Sequence, residues 1–412
     1  MAVNDMGFNQ LATVLNSIVS QATGQTQITP ADESQFISVA QKGLNTGYDP
    51  LATAISQVLS KTIFSVRPYQ AKFKGLMADA VKWGNHVRKL TTIDKPFEED
   101  DRIKLVDGSA IDPWIVNKPE VLQTNFYGEN VYQKSLTIYK DQLDTAFSGP
   151  DQFGQFISMV MQNASDMLEQ AREEVARNTV ANLIAGVYYQ ENNGIYPIGR
   201  CINLLEVYEA QTGVSLTSTT VRDPQNFAPF ARWLFGYLKT ISDKMTERSV
   251  LFHQSYNDGV NEHPILRHTP IDKQKCYLFS PLLNDISANV LSTVFYDKYL
   301  KLMDHQNIQY WQSITAGEEM EIKCKPSVTN AALAPIDMTA ISAVDINNVF
   351  GVIFDEEAAG YTQVNEWSAT TNLNPRGGYY NWFFHATYRY YNDFSENAVV
   401  LLLQNSAAVE GA

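Results

Sequence analysis

Four residues in the string YNDGVNEHPILRH, namely Asp258, Glu262, His263 and His268, are of types that ligate metals. A metal centre needs such donors to converge at fixed geometry. Here they are strung along one polar loop without the spacing of a helix face, and a plain loop is the better reading. Two carboxylate runs raise the question of acid–base chemistry. Glu98, Glu99, Asp100 and Asp101 fall in a long polar excursion, where a solvated or partner-facing patch fits better than a catalytic pair, which needs a pocket. Asp355, Glu356 and Glu357 follow an apolar run and look more like a glycosidase acid pair, yet no partner carboxylate is signalled elsewhere. His385 sits mid-strand on a mixed face, the setting of a hydrogen-bonded structural histidine. Cys201, Cys276 and Cys324 are odd in number and lack CxxC spacing, which argues against a disulfide framework or zinc site and for a reducing compartment. Phosphate-binding glycine loops, the GxSxG elbow and HExxH are all missing from the sequence. No catalytic, cofactor-binding or metal-ligating residue is therefore assigned, and the chain is not read as an enzyme.

The segment NPRGGYYNWFFHATYRYYNDFSENAVVLLL poses a different problem. Between Tyr379 and Phe394 it carries nine aromatic residues in sixteen positions. Tyr380, Trp382, Phe384, Ala386, Tyr388 and Tyr390 alternate with Asn381, Phe383, His385, Thr387 and Arg389, the pattern of a strand with one apolar face. Stacking on bases or sugars needs exposed rings with basic neighbours, and only Arg389 is at hand. Core packing is the stronger reading. The AVVLLL that follows lacks alternation, as a strand covered on both faces would.

Positioning these segments requires a framework, and the rest of the sequence outlines one. With 412 residues the chain is long enough for two or three domains, and no apolar run reaches the ~20 residues that span a bilayer. The N-terminus lacks the features of a signal peptide. A net charge of −14 disfavours tight electrostatic contact with nucleic acid, though not enclosure of it. Up to residue 62, two narrow amphipathic stretches (Phe8, Leu11, Leu15, Ile18; Leu51, Ile55, Val58, Leu59) predict helices that cannot build a core of their own. They are expected to lie on another part of the chain or on a neighbouring copy. VKWGNHVRKLTTID and VYQKSLTIYK read as strands around the excursion, which bears the Asp107-Gly108 turn and is long enough to reach outward. From Ser148 to Gly186 a helix of ~54 Å is predicted, with Pro150 in its first turn. Its stripe of Phe153, Ile157, Val160, Ala164, Leu168, Ala171 and Val175 predicts a strut packed along a sheet. A mixed lobe follows. Asp223-Pro224 opens a helix bearing Phe227, Phe230, Leu234, Leu238, Ile241 and Met245, SVLFHQ reads as a strand, and KCYLFSPLLNDISANVLSTVF reads as a strand and second helix. NVFGVIFDEEAAG is a buried strand ending in acids, and the sheet is expected to join late strands to early ones.

Several of these strings resemble tailed-phage major capsid proteins of the Hong Kong 97-like fold, and more closely those of phi-29-type podophages. The similar strings are NPRGGYYNWFFH (Asn374 to His385), ENAVVLLL (Glu396 to Leu403), the Ser148 helix through NLI, and VFGVIFDEEAAG. They cover about a third of the chain, while the order of elements fits almost all of it. The resemblance implies an α+β capsid fold: an N-terminal arm (1–62) and a P domain (63–187) carrying an extended E-loop at about 83–130 and the spine helix 148–186. An α/β A domain (188–345) and terminal strands returning to the P domain (346–412) complete the division. It further implies self-assembly through pentamers and hexamers into an icosahedral or prolate head. That head would enclose double-stranded DNA without sequence-specific binding, assembled in the host bacterial cytoplasm with a separate scaffolding protein and a portal, without cofactors or membrane contact. An added immunoglobulin-like domain and covalent cross-links, known in some members, find no support in these residues. An encapsulin-type compartment shell shares the fold and is the alternative; a glycan-acting enzyme predicts an open cleft beside the aromatic strand. On the shell reading the arm and the excursion find their partners on sister molecules.

Overall fold

The computed structural model describes residues 8–27, 29–61, 73–76, 87–92, 99–112, 114, 116, 121–126, 128–195, 199–257, 259–260, 262–283 and 305–405. Helices α1 (Phe8–Thr23), α2 (Glu33–Thr46) and α3 (Tyr48–Lys61) come first. Strands β1 (Val87–Thr92), β2 (Val121–Phe126) and β3 (Gly128–Tyr139) lead into the short α4 (Lys140–Ala146) and the long α5 (Pro150–Asn192). The middle of the chain holds β4 (Cys201–Asn203), α6 (Leu204–Thr212), α7 (Pro224–Thr246), β5 (Tyr256–Asn257), β6 (Glu262–His263), β7 (Gln274–Phe279), β8 (His305–Ile308), β9 (Ile322–Cys324) and β10 (Val344–Ile346). Strands β11 (Val349–Asp355), β12 (Ala359–Thr370), β13 (Tyr379–Asn392) and β14 (Ala398–Leu402) follow.

A five-stranded sheet, ordered β4-β14-β11-β7-β8, explains the unbroken apolar runs near the end of the chain. Every residue of β11 and β14 is buried because helices cover both faces. Val400, Leu402, Val352 and Phe354 meet Val180, Ile184 and Val187 of α5. Their neighbours Val399, Leu401, Phe350 and Ile353 turn the other way, onto Leu204 of α6 and Phe230, Leu234 and Leu238 of α7. The helix α7 begins at Pro224 and buries the six predicted residues from Phe227 to Met245. The terminal strands thus pair with strands of the 201–308 region, while β12 and β13 join β3 in a separate antiparallel sheet, β12-β13-β3.

The aromatic strand β13 serves two cores. Tyr380 and Trp382 point into a helical core, whereas Ala386 and Tyr388 belong to the core beneath the five-stranded sheet. Helix α5 runs beside it and does the same, with Phe153, Ile157 and Val160 in the first core and Val175 to Val187 in the second. At 43 residues it is ~64 Å long. It is the predicted strut, with Pro150 at its first position and Gly149 as N-cap. It does not stop at Gly186, however, and continues to Asn192. A Cβ at Gly186 would lie 2.6 Å from Phe394 Cε1 and 3.1 Å from Val328 Cγ1. The glycine is there for close packing and does not terminate the helix.

Three further expectations change. SVLFHQ is not a strand: Phe252 has φ +66°, and the segment crosses to the terminal turn through Gln254 N–H donating to the Phe394 carbonyl. His253, buried within it, faces the carbonyls of Leu251 and Ile265 and the side-chain oxygen of Asn397. Beyond β7 the chain is helical at 280–283, and the rest of the predicted second helix lies outside the described residues. The largest change concerns the N-terminal helices, which do form a core. Leu11, Leu15 and Ile18 of α1 meet Phe36 of α2 and Leu51 and Ile55 of α3, closed by Phe153, Ile157, Tyr380 and Trp382. The intervening α2, with Asp32 as N-cap, supplies the third apolar face that two narrow stripes lacked. Tyr48 O–H donates to Asp144 Oδ1 at 2.7 Å, an interaction that pushes the phenol up to about 12. These helices therefore rest on another part of their own chain, the first of the two places expected for them, and not on a sister molecule as the shell reading had it.

Candidate functional site: a projecting ribbon and its ionic root

Strands β1 and β2 pair antiparallel from Val87 opposite Phe126 to Thr92 opposite Val121. The excursion between them turns at Asp107-Gly108, where Gly108 takes φ +91°. Asp100 caps a short turn, its Oδ1 accepting from Arg102 N–H and its Oδ2 from Arg102 Nε at 2.8 Å. A two-stranded ribbon has little stability of its own, so its root has to be held. Lys89 Nζ does this, 2.6 Å from Glu396 Oε1, 2.9 Å from Asp393 Oδ2 and 3.2 Å from Glu357 Oε2. Arg267 Nε reaches the same Glu396 oxygen at 3.1 Å, and its Nη2 donates to Thr91 Oγ1 at 3.4 Å. Phe126 packs on the Tyr391 ring at 5.6 Å. Burial pulls the Lys89 ammonium down, but Asp393 and Glu396 outweigh it and hold it above the usual lysine range. Burial pushes the Glu396 carboxyl up, against the opposing pull of Lys89 and Arg267.

Beyond the root, the ribbon exposes apolar surface. Ile103, Val106, Trp114 and Val116 are 79%, 73%, 84% and 77% exposed. Nine of the eighteen exposed large hydrophobic side chains among the described residues lie between Leu90 and Val131. Such a concentration marks a surface meant to be covered.

The residues singled out for chemistry are dispersed. Asp258 and Glu98 lie outside the described residues. Glu262 and His263 form β6 of a small hairpin, the His263 ring 5.6 Å from that of Tyr256. His268 joins Asp355, Glu356, Glu357 and Glu396 around a cleft of about 650 Å³. The carboxylates there are committed: Asp355 accepts from Thr269 Oγ1 and Glu357 N–H, Glu356 pairs with Lys273, and Glu357 pairs with Lys89. Among the described residues no cluster of His, Cys, Asp or Glu has metal-binding geometry. His385 stacks on its cross-strand partner Trp367, centroids 3.9 Å apart and planes at 12°. The three thiols are free, and burial pushes each up, Cys324 to about 11, which leaves them poor nucleophiles. Sequence reasoning missed Lys89, Arg267, Asp393 and Glu396, which stand in strings read only as strand, loop or turn. No helix among the described residues is long and apolar enough to cross a membrane.

Comparison with known proteins places this architecture. A chain in the capsid structure of Staphylococcus phage Andhra superposes with a TM-score of 0.50 at 9% identity, covering 83% of this chain and 86% of that one. A chain in the capsid structure of the Cyanophage P-SCSP1u gives a TM-score of 0.43 at 13% identity, covering 84% and 91%. At 9% identity the likeness to the Andhra capsid chain speaks for the fold alone, the Hong Kong 97-like fold of tailed-phage capsids. No curated protein matches the sequence. The family model of Phi29-like phage major capsid proteins matches residues 15–402, nearly the whole chain, and this protein belongs to that family of capsid-forming virion proteins.

Proposed function

We propose that copies of this chain close through pentamers and hexamers into an icosahedral or elongated head around the double-stranded DNA of a tailed phage. In this reading the first 62 residues are the N-terminal arm and the β1–β2 ribbon is the E-loop. Helix α5 with β3, β12 and β13 forms the P domain. The A domain is drawn differently from the sequence-based boundary at 345: β11 and β14 are assigned to it with β4, β7 and β8, because one sheet joins them. A separate scaffolding protein and a portal are the proposed partners, with assembly in the host bacterial cytoplasm. The single observation that carries the reading is the apolar surface of the ribbon, exposed while its root is fixed by Lys89. Each subunit of a closed shell touches several neighbours, so modest contacts multiply. The net charge of −14 suits walls against which DNA slides without sticking; a strongly basic inner face would refute that part.

Electron microscopy of the expressed protein, with and without a scaffolding protein, tests the proposal. Shells are expected from the natural sequence, and a triple Ile103→Ser, Val106→Ser, Trp114→Ala variant should yield folded subunits of unchanged melting temperature that do not assemble. Monodisperse monomers under every condition would overturn the reading.

A further inference from the structure

His253 is fully enclosed, and both of its ring nitrogens face oxygen. Nδ1 lies 2.8 Å from the Leu251 carbonyl and 3.0 Å from Asn397 Oδ1, while Nε2 meets the Ile265 carbonyl. The Asn397 amide cannot turn round to offer a donor. Its Nδ2 donates to Thr269 Oγ1, whose own proton goes to Asp355 Oδ2. A neutral imidazole carries one N–H, so one ring nitrogen is left facing a carbonyl with no hydrogen between them. A second proton would complete the bonds but would put a positive charge in the interior, within the field of Arg200. That guanidinium is itself buried, its Nη1 donating to Gln190. Burial above all, and Arg200 with it, pull the ring below its ordinary value, while the three oxygens limit the fall.

The ring also stands where two segments cross. On either side of it in sequence, Gln254 N–H donates to the Phe394 carbonyl and the Phe252 carbonyl accepts from Ala398 N–H. The turn held in this way supplies Asp393 and Glu396 to Lys89, and Arg267 reaches both Glu396 and the Ser395 carbonyl. The charged groups about the ring are thus Arg200 ahead of β4, Asp355 at the end of β11, and Asp393 and Glu396 with their cations.

We propose that His253 is an acid-sensitive joint: neutral at pH 7, it takes up a proton as the pH falls, and the buried charge loosens the hold of 252–254 on the terminal turn. The ribbon root is built on that turn, so the joint lets mild acid reach the base of the ribbon.

Nuclear magnetic resonance of free full-length subunits labelled at histidine, six in all, follows each imidazole from pH 8 to 5. His253→Gln removes one set of signals and so assigns it. That ring should carry one proton at pH 7.5 and gain the second below about pH 6.5, the ordinary histidine value. A ring doubly protonated at pH 7.5, or still neutral at pH 5, overturns the inference. Hydrogen exchange, corrected for the intrinsic effect of pH, reads the joint itself. The Gln254 and Ala398 amides should lose protection as the ring titrates, and unchanged protection overturns the inference. Stability has a definite sign. A histidine held below its ordinary value contributes fully above about pH 6.5 and loses that contribution as pH falls through the folded value. The natural protein should therefore lose more melting temperature between pH 7.5 and 5 than His253→Gln does, and parallel losses count against the joint. Glu396, raised by burial, acts in the opposite direction but is common to both proteins and drops out of the difference. Should the glutamine variant misfold, the exchange of Gln254 and Ala398 in the natural protein decides alone.

Discussion

The root of the ribbon turns on a single ammonium. Lys89 answers Glu357, Asp393 and Glu396, so its removal leaves three carboxylates facing one another, with Arg267 paired to Glu396. Lys89→Met should cost about 3 kcal/mol, the scale of breaking a largely buried pair, read as a lower melting temperature near pH 7. The pH dependence has a definite sign. A lysine held above its usual value stabilises the fold fully below about pH 10.4, and that contribution is lost as pH rises through the higher folded value. Melts from pH 8 to 12 should show the natural protein losing stability more steeply than the methionine variant. Parallel curves would mean that Lys89 contributes nothing to the root. Gly186 gives a second residue-level test. Gly→Ala inside a helix normally gains about 1 kcal/mol, but here the added methyl would strike Phe394 and Val328. Overpacking costs about 1–3 kcal/mol, so Gly186→Ala should destabilise, and Phe394→Leu in the same chain should restore part of the loss.

Among the elements, the N-terminal helices and the ribbon behave oppositely. Both read in the sequence as segments seeking a partner. The helices find theirs within the subunit, on Phe153, Ile157, Tyr380 and Trp382, whereas the ribbon keeps its apolar residues exposed. Deleting residues 1–47 should uncover that aromatic surface and leave a subunit that aggregates. A soluble truncation with the full-length melting temperature would show that α1 and α2 are dispensable to the fold. Trp382→Ala, at the junction of helices and sheet, should cost about 3–5 kcal/mol. The strut helix was legible because a 3.6-residue period and a proline-marked start are local signals. Its true end was not, since Gly186 answers to Phe394, more than two hundred positions along the chain. SVLFHQ misled for the same reason: its β-rich composition is overridden by crossing hydrogen bonds to Phe394 and Ala398.

Taken as a whole, the molecule is an acidic subunit that must approach its own copies. Like charge opposes that approach, and salt screens it over a Debye length that falls from ~10 Å at 0.1 M to ~3 Å at 1 M. Assembly followed by light scattering should therefore rise with ionic strength. A fall would mean that ion pairs across the interfaces outweigh the net charge of −14. What the sequence determined unaided is whatever local periodicity encodes: the strut, the α7 face, the doubly covered strands and the two-faced aromatic strand. The resemblance of a few strings to phage capsid proteins reached the family that a match over residues 15–402 then established. Only the tertiary structure decided that α1–α3 form a core, that β11 and β14 complete a sheet with β4, β7 and β8, and that Lys89 binds carboxylates some three hundred residues away. The physical reason is range. Helix and strand patterns repeat every few residues and leave their mark in the string, whereas a contact between distant segments depends on how the chain closes in space.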